Sequence, residues 1–373
     1  MNFSLSDEQQ MLADSARRFV QGLPDVAARY AHQRQAPPDA NLWQQFAELG
    51  WLALPFAEDD GGLGAGLVET MVLQEELGRG AVASPYLATV VLGGGLLRRA
   101  GPEWRARYLP DLIEGDLQLA LAVDEQERVF APENTALQAR GEGDGFVLSG
   151  RKTVVLNGDQ ADRILVLART GGEPGDQRGL SLFLLDPGSP GVTLTPHRLV
   201  DGHRAARLQL DGVRLSADAL IFEKGAAFEP VRQVLDEAIL ALGAEAVGAL
   251  SVLLDDTVEY SKTRKQFGVP IGSFQVLQHR MADMFMALEQ TRSLLLAATL
   301  KTLEGHDDAR QAVHALKARI GGAGRHIAQE AVQLHGGMGM TDELAVGHYF
   351  KRITAMDGLF GGADQHLAAF ARA

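Results

Sequence analysis

Two short stretches of this chain carry residue types suited to gripping phosphate and aromatic groups. In "YSKTRKQFGVPIGSFQ", Tyr260 to Gln275, Arg264 offers a planar fork of donors that matches paired anionic oxygens, and Phe267 offers a ring. In "AVQLHGGMGMTDE", Ala331 to Glu343, Gln333 supplies an amide, while Gly336 and Gly337 let a ligand approach the backbone closely. Each stretch alone has a plainer reading, in which Arg264 pairs with a surface carboxylate and the glycines end a helix. A third feature is Glu245 within "LALGAEAVGAL". A carboxylate amid Ala, Gly and Leu could be desolvated, with a raised pKa fit for proton abstraction. A buried ion pair holding helices together is the reading favoured for it. "GGLGAG" at Gly61–Gly66 lacks GxGxxG spacing and any Lys-Ser/Thr, so it reads as a plain loop.

The elements that must position these groups fall into three blocks. Ser6 followed by Gln9 predicts a capping box, and Met11, Leu12, Ala16, Phe19 and Val20 then share one helical face. "NLWQQFAELGWLAL" and "LVETMVLQEELGRG" continue the pattern, which predicts a helical domain over 1–115. From Asp116 the texture changes to short Val- and Leu-rich runs such as "TVVLNG", "RILVLART" and "LSLFLLD", punctuated by Gly, Pro and Asp. Such runs predict an antiparallel β domain over 116–225. Helical segments at 228–264, 274–303, 308–334 and 343–373 then predict a four-helix bundle over 226–373. The fold class is α+β.

Composition narrows the partners. The chain has 373 residues, 46% hydrophobic and 22% charged, and its 35 basic and 48 acidic side chains give a net charge of -13. That balance argues against nucleic acid or an anionic membrane as the main partner. There is no cysteine, hence no disulfide, thiolate nucleophile or Cys-based metal site, and no metal is expected. "MNFSLSDEQQ" has no signal-peptide pattern, and "YLATVVLGGGLL" is too short and glycine-broken for a membrane span, so a cytoplasmic location is expected.

The two opening stretches, with "PFAEDDGGLGAG" and "QEELGR", resemble the flavin-dependent acyl-CoA dehydrogenase family from the first helix to the last. The resemblance implies FAD and α,β-dehydrogenation of an acyl-CoA thioester, as in fatty acid or lipid catabolism. A carboxylate would take the α proton, and the flavin would receive the hydride. It further implies that Arg264, Phe267, Gln275, Gln333, Gly336 and Gly337 reach the FAD of a neighbouring subunit, at an interface within a dimer or tetramer. An electron-transfer acceptor would then reoxidise the flavin.

Other family positions depart from the pattern. The flavin-facing strand segment becomes "VDEQERVFAPENTA", Val123 to Ala136, and the threonine expected before Asn157-Gly158 is Leu156, which cannot hydrogen-bond. The CoA-binding Asp-x-x-Arg is Asp236-Glu237-Ala238-Ile239. The two base positions hold Ala238 and Phe360 or Gly361. Asp357 and Asp364 read as solvated turn or helix-end charges. Glu245, seven residues and about 10.5 Å along the same helix face from Ala238, is the weak candidate for a displaced base. The losses cluster where a subunit would hold its own flavin ring, CoA and base. The chain therefore resembles the smaller, base-lacking subunit of hetero-oligomeric bacterial acyl-CoA dehydrogenases, with FAD absent from the lone chain. A self-sufficient homo-oligomer and a non-catalytic scaffold relative are the alternatives.

Overall fold

A computed structural model describes residues 4–35, 40–125 and 130–372. The N-terminal helices are α1 (Asp7–Gly22), α2 (Val26–Gln35), α3 (Ala40–Glu48), α4 (Leu67–Arg79), the short α5 (Gly95–Leu97) and α6 (Pro102–Glu114). The capping box forms as the sequence predicts. Gln9 N donates to Ser6 Oγ at 3.2 Å and Ser6 N donates to Gln9 Oε1 at 2.9 Å. The apolar stretch before α5 winds as a π-helix over Leu87–Gly94, buried throughout.

Among the described residues one sheet holds seven strands: β1 (Leu119–Ala122), β2 (Gln138–Glu142), β3 (Gly145–Leu156), β4 (Arg163–Arg169), β5 (Leu180–Leu185), β6 (Val192–Arg198) and β7 (Arg204–Ser216). The order is β1-β4-β2-β3-β7-β6, with β5 on β4. Most neighbours are antiparallel, as expected, but β1 and β2 both pair parallel with β4. The reason is visible in β1: Leu119 and Leu121 face the helices while Ala120 and Ala122 face a second core inside the sheet. A strand covered on both sides reads as an apolar run, so its direction leaves no mark on the sequence.

The C-terminal region packs α7 (Phe228–Thr263), α8 (Gln275–Glu304), α9 (Ala309–His335), α10 (Ala345–Gly358) and α11 (Ala363–Phe370). The single helix expected over 343–373 is two helices. Phe360 (φ 58°) and Gly361 (φ 96°) are both left-handed, and no helix passes through two such residues. Helix α7 is long and apolar enough to span a membrane by composition, yet 89% of that window is buried, so it is the central core helix. It lies unusually close to α4. A Cβ on Gly248 would sit 2.0 Å from Glu75 O, and one on Gly78 would sit 2.1 Å from Glu245 O. Larger residues at either point would separate the N-terminal region from the bundle.

Candidate functional site

The two motifs that open the sequence reading meet at one end of the bundle. Arg264 caps the C-terminus of α7, and Gly336 begins the turn that ends α9. Four residues before Arg264, Tyr260 stacks on His335 with ring centroids 4.4 Å apart. That contact ties the two helix ends together. Strands β8 (Lys265–Gln266) and β9 (Val269–Pro270) then form a hairpin whose tip is Phe267-Gly268, both with positive φ. This is the backbone a two-residue tight turn requires, unusual only in having Phe at its first position.

The side chains at this end point outward. Phe267 is 93% exposed and meets the edge of Phe274 at 6.2 Å between centroids. The Arg264 guanidinium has no hydrogen-bond or ion-pair partner among the described residues, so the surface pairing considered for it is not made. Gln275 opens α8, exposed, and Gln333 is exposed in the last turn of α9. Gly336 adopts φ 62°, ψ −141°, a conformation essentially confined to glycine, and open space surrounds the Cβ position of both Gly336 and Gly337. The result is a basic, aromatic and glycine-lined face with unused donors.

The second region is a cleft of about 620 Å³ between sheet and bundle. Asp124, Thr153, Leu156, Leu235, Phe360 and Gly361 are among its walls. "VDEQERVFAPENTA" contributes Asp124, Glu125 and Phe130; its middle, residues 126–129, lies outside the described residues. Glu125 is fully engaged, accepting from Ala136 N, Leu137 N and the buried Lys152 Nζ at 2.7–3.2 Å. Asp124 accepts from Thr153 Oγ1 at 3.2 Å, and burial raises its pKa. Leu156 presents only carbon.

The slots where the resemblance places a base are closed. Ala238 is fully buried and Phe360 is 9% exposed, packed on Phe130 at 6.1 Å. Position 361 disfavours a side chain: its φ of 96° strains any residue but glycine, and a Cβ there would come within 2.9 Å of Gln365 Oε1 and 3.1 Å of His366 Nε2, so both would have to shift. The elbow is pinned from α9 and α11. Lys317 Nζ donates to Asp357 O at 2.9 Å and Gly361 O at 2.7 Å, and burial lowers its pKa to about 8. His366 Nε2 lies 2.8 Å from Phe360 O, and a carbonyl only accepts, so Nε2 carries the proton. His366 Nδ1 then accepts from His314 Nδ1 at 2.9 Å. Asp357, expected to be solvated, instead accepts from Arg325 at 2.9 Å and from Ala363 N at 3.2 Å.

The remaining acids are also committed. Glu237 accepts from Arg98 and Arg99. Asp236 accepts from Arg232 Nη1 at 2.7 Å, and burial raises its pKa to about 6. Glu245 takes two hydrogen bonds of 2.7 Å from Arg352, whose Nη1 also reaches Asp201 at 2.8 Å. This is the buried ion pair favoured for Glu245, and it joins α7, α10 and the β6–β7 turn. Burial alone would raise the Asp201 pKa, but His203 and Arg352 hold it well below the usual carboxylate range. No spacing signal marked Arg352, which stands 107 residues from Glu245, nor the His314–His366 pair. Among the described residues no cluster of metal-ligating side chains occurs.

Comparison with known proteins agrees with this architecture. The N-terminal, middle and C-terminal domain models of acyl-CoA dehydrogenase match residues 6–116, 121–213 and 228–373. The probable acyl-CoA dehydrogenase YngJ of Bacillus subtilis is 29% identical over 364 residues, covering 96% of this chain and 95% of that one. Among solved structures, a chain of the ChsE4–ChsE5 complex from Mycobacterium tuberculosis superposes with TM-score 0.89 at 29% identity, over 100% of this chain and 98% of that one. An FAD complex of PigA gives TM-score 0.93 at 28% identity, over 100% and 98% of the two chains. The three-domain fold and the motif-bearing bundle end thus define a flavoprotein oxidoreductase class. The chain belongs to the acyl-CoA dehydrogenase family.

Proposed function

We propose that this chain is the half-site subunit of a hetero-oligomeric, FAD-dependent acyl-CoA dehydrogenase. It would complete a flavin site whose base and flavin-facing residues belong to a related subunit. The observation that carries this reading is the contrast between an outward, unpartnered cofactor-type face and base slots that hold Ala238, Phe360 and Gly361 and no carboxylate. An arginine with free donors beside a 93% exposed phenylalanine is explained by a ligand outside the chain. In this reading Arg264 donates a fork to pyrophosphate oxygens, and Phe267 lies against a ring. Gln275 and Gln333 add polar contacts, and Gly336 and Gly337 bring the backbone to the cofactor.

When bound, FAD supplies the hydride acceptor for α,β-dehydrogenation. This chain's residues hold and orient one end of it and shield it from water. They move no proton, because no carboxylate lining the cleft is both unengaged and placed at a base position. The likeness to a chain of the ChsE4–ChsE5 complex supports an unlike partner. A displaced base at Glu245 is disfavoured because both its oxygens already accept from Arg352.

The test is expression of the chain alone and with a related acyl-CoA dehydrogenase subunit that keeps its base. The expected result is little flavin absorbance and no acyl-CoA turnover alone, with both appearing in the co-purified complex. Full flavin occupancy and turnover by the lone chain would overturn the proposal.

A further inference from the structure

Tyr260 and His335 each stand just inside one of the two motifs at the open end. Tyr260 opens the stretch that carries Arg264, and His335 immediately precedes Gly336. Their rings stack with centroids 4.4 Å apart and planes 28° from parallel. His335 is buried, at a face where Arg264, Phe267 and Gln333 are all exposed. A buried aromatic contact between two solvent-facing motifs has a job to do there.

Each of the two residues is a junction. The Tyr260 carbonyl accepts from Arg264 N at 2.8 Å, which ends α7, while its ring lies against His335 of α9. Arg264 O in turn accepts from Ile271 N at 2.8 Å, which closes the base of the β8–β9 hairpin. His335 plays the matching part for the other motif. A carbonyl only accepts, so His335 Nδ1 donates to Ala331 O at 2.8 Å, and this bond fixes the ring on α9. The Gly336–Met340 turn folds back over it: a Cβ on Gly339 would lie 3.1 Å from His335 Cβ. Tyr260 Oη reaches His335 O only at 3.4 Å, too long to add much, so the stacked rings carry the contact.

The hairpin needs such support. Its strands are two residues each, and Phe267 at its tip is almost fully exposed, so it buries little surface of its own. The direction in which Arg264 points is therefore set at the end of α7. Two grips on one ligand reinforce each other only when their spacing is fixed beforehand. A loose joint between them forfeits the gain in effective concentration.

We propose that Tyr260 and His335 are positioning residues: the stacked pair fixes the Arg264 hairpin relative to the Gly336 turn, so that both meet one cofactor at once. Tyr260 acts through Arg264, and His335 through the Gly336–Gly337 backbone. The assignment rests on the flavin-lending reading, and adds to it the device that makes two separate motifs into one site.

A double-mutant cycle on the co-purified complex tests it, read as flavin released on dilution. Tyr260→Leu removes the stack and should weaken flavin retention about tenfold, whereas Tyr260→Phe keeps the ring and should stay within about twofold of the parent. In an Arg264→Ala background, Tyr260→Leu should cost about twofold at most, because the grip whose spacing it fixes is gone. A merely structural role predicts the same tenfold loss in both backgrounds, and that result would overturn the proposal. So would full retention by Tyr260→Leu, or a loss in Tyr260→Phe equal to that in Tyr260→Leu. If Tyr260→Leu does not fold, His335→Leu takes its place in the cycle with the same expectations. Arg264→Ala separates the two levels. If it loses flavin while Tyr260→Leu does not, the positioning role alone fails; if it retains flavin fully, the flavin-lending reading fails and the positioning role falls with it.

Discussion

Helix α9 serves two regions of opposite character. In its first half, Lys317 and His314 direct their polar atoms inward to the elbow at Phe360–Gly361, where Lys317 meets two carbonyls, His366 a third, and His314 the ring nitrogen of His366. At its far end, the Gly336 turn and the neighbouring Arg264 hairpin leave donors, a ring and bare backbone facing outward. A chain folding for its own stability satisfies its polar groups, as the elbow does. Under the proposed function the exposed end meets a cofactor shared with another subunit. The comparison yields a rule that can be broken: changes in the closed region should register in stability, and changes at the open end only in cofactor retention.

The largest effect belongs to the buried network behind the elbow. Arg352→Met leaves Glu245 and Asp201 buried without their shared counter-charge, which costs about 3–5 kcal/mol. Urea unfolding of the lone chain should show the midpoint shifted accordingly. Glu245→Gln should also destabilise, by less, since the amide keeps one acceptor for Arg352. If Glu245→Gln instead abolished turnover of the complex while leaving stability unchanged, Glu245 would be a base and the contrast between the two regions would fail.

At the open end, Arg264→Ala removes a free donor fork and should leave unfolding of the lone chain within about 0.5 kcal/mol of the parent. Its effect belongs to the complex, where losing charge-assisted bonds worth about 1.5–3 kcal/mol weakens flavin retention by roughly ten- to a hundredfold. Flavin released on dilution measures it. Equal retention in parent and variant would show that Arg264 does not reach the cofactor.

How much of this was legible beforehand differs between the same two regions. The motifs at the open end stood out in the sequence because each is a short local run, Arg264 to Gln275 from the end of α7 to the start of α8 and Gln333 to Gly337 at the end of α9. The three-block order was readable for a similar reason, since the periodicity of α1 and the capping box at Ser6 are short-range signals. The closed region was not. Its partners are joined across 107, 151 and 52 residues, as Arg352 with Glu245, Arg352 with Asp201, and His366 with His314. Nothing in composition or spacing connects them. The broken last helix escaped because Phe360 carries an ordinary side chain in a left-handed backbone, a conformation the surroundings impose.

The smallest effect concerns pH and sharpens the account of the elbow. Burial, with the neighbouring His366 and the positive field of Arg310 and Arg232, lowers the His314 pKa from 6.5 to about 4. The folded chain therefore resists a proton that the unfolded chain accepts. Stability from this group is fully present above pH 6.5 and is lost as the pH falls towards 4. Because His314 is partly open to solvent, the loss amounts to about 1 kcal/mol once screening is allowed for. His366 is also held below its ordinary value, first by burial, so the pair should titrate as one unit. His314→Asn should flatten the stability profile between pH 6.5 and 4, while flavin retention by the complex keeps the parent's pH dependence. A flattened flavin profile instead would mean that the elbow and the open end communicate along α9, and that the helix couples the two regions it was expected to keep apart.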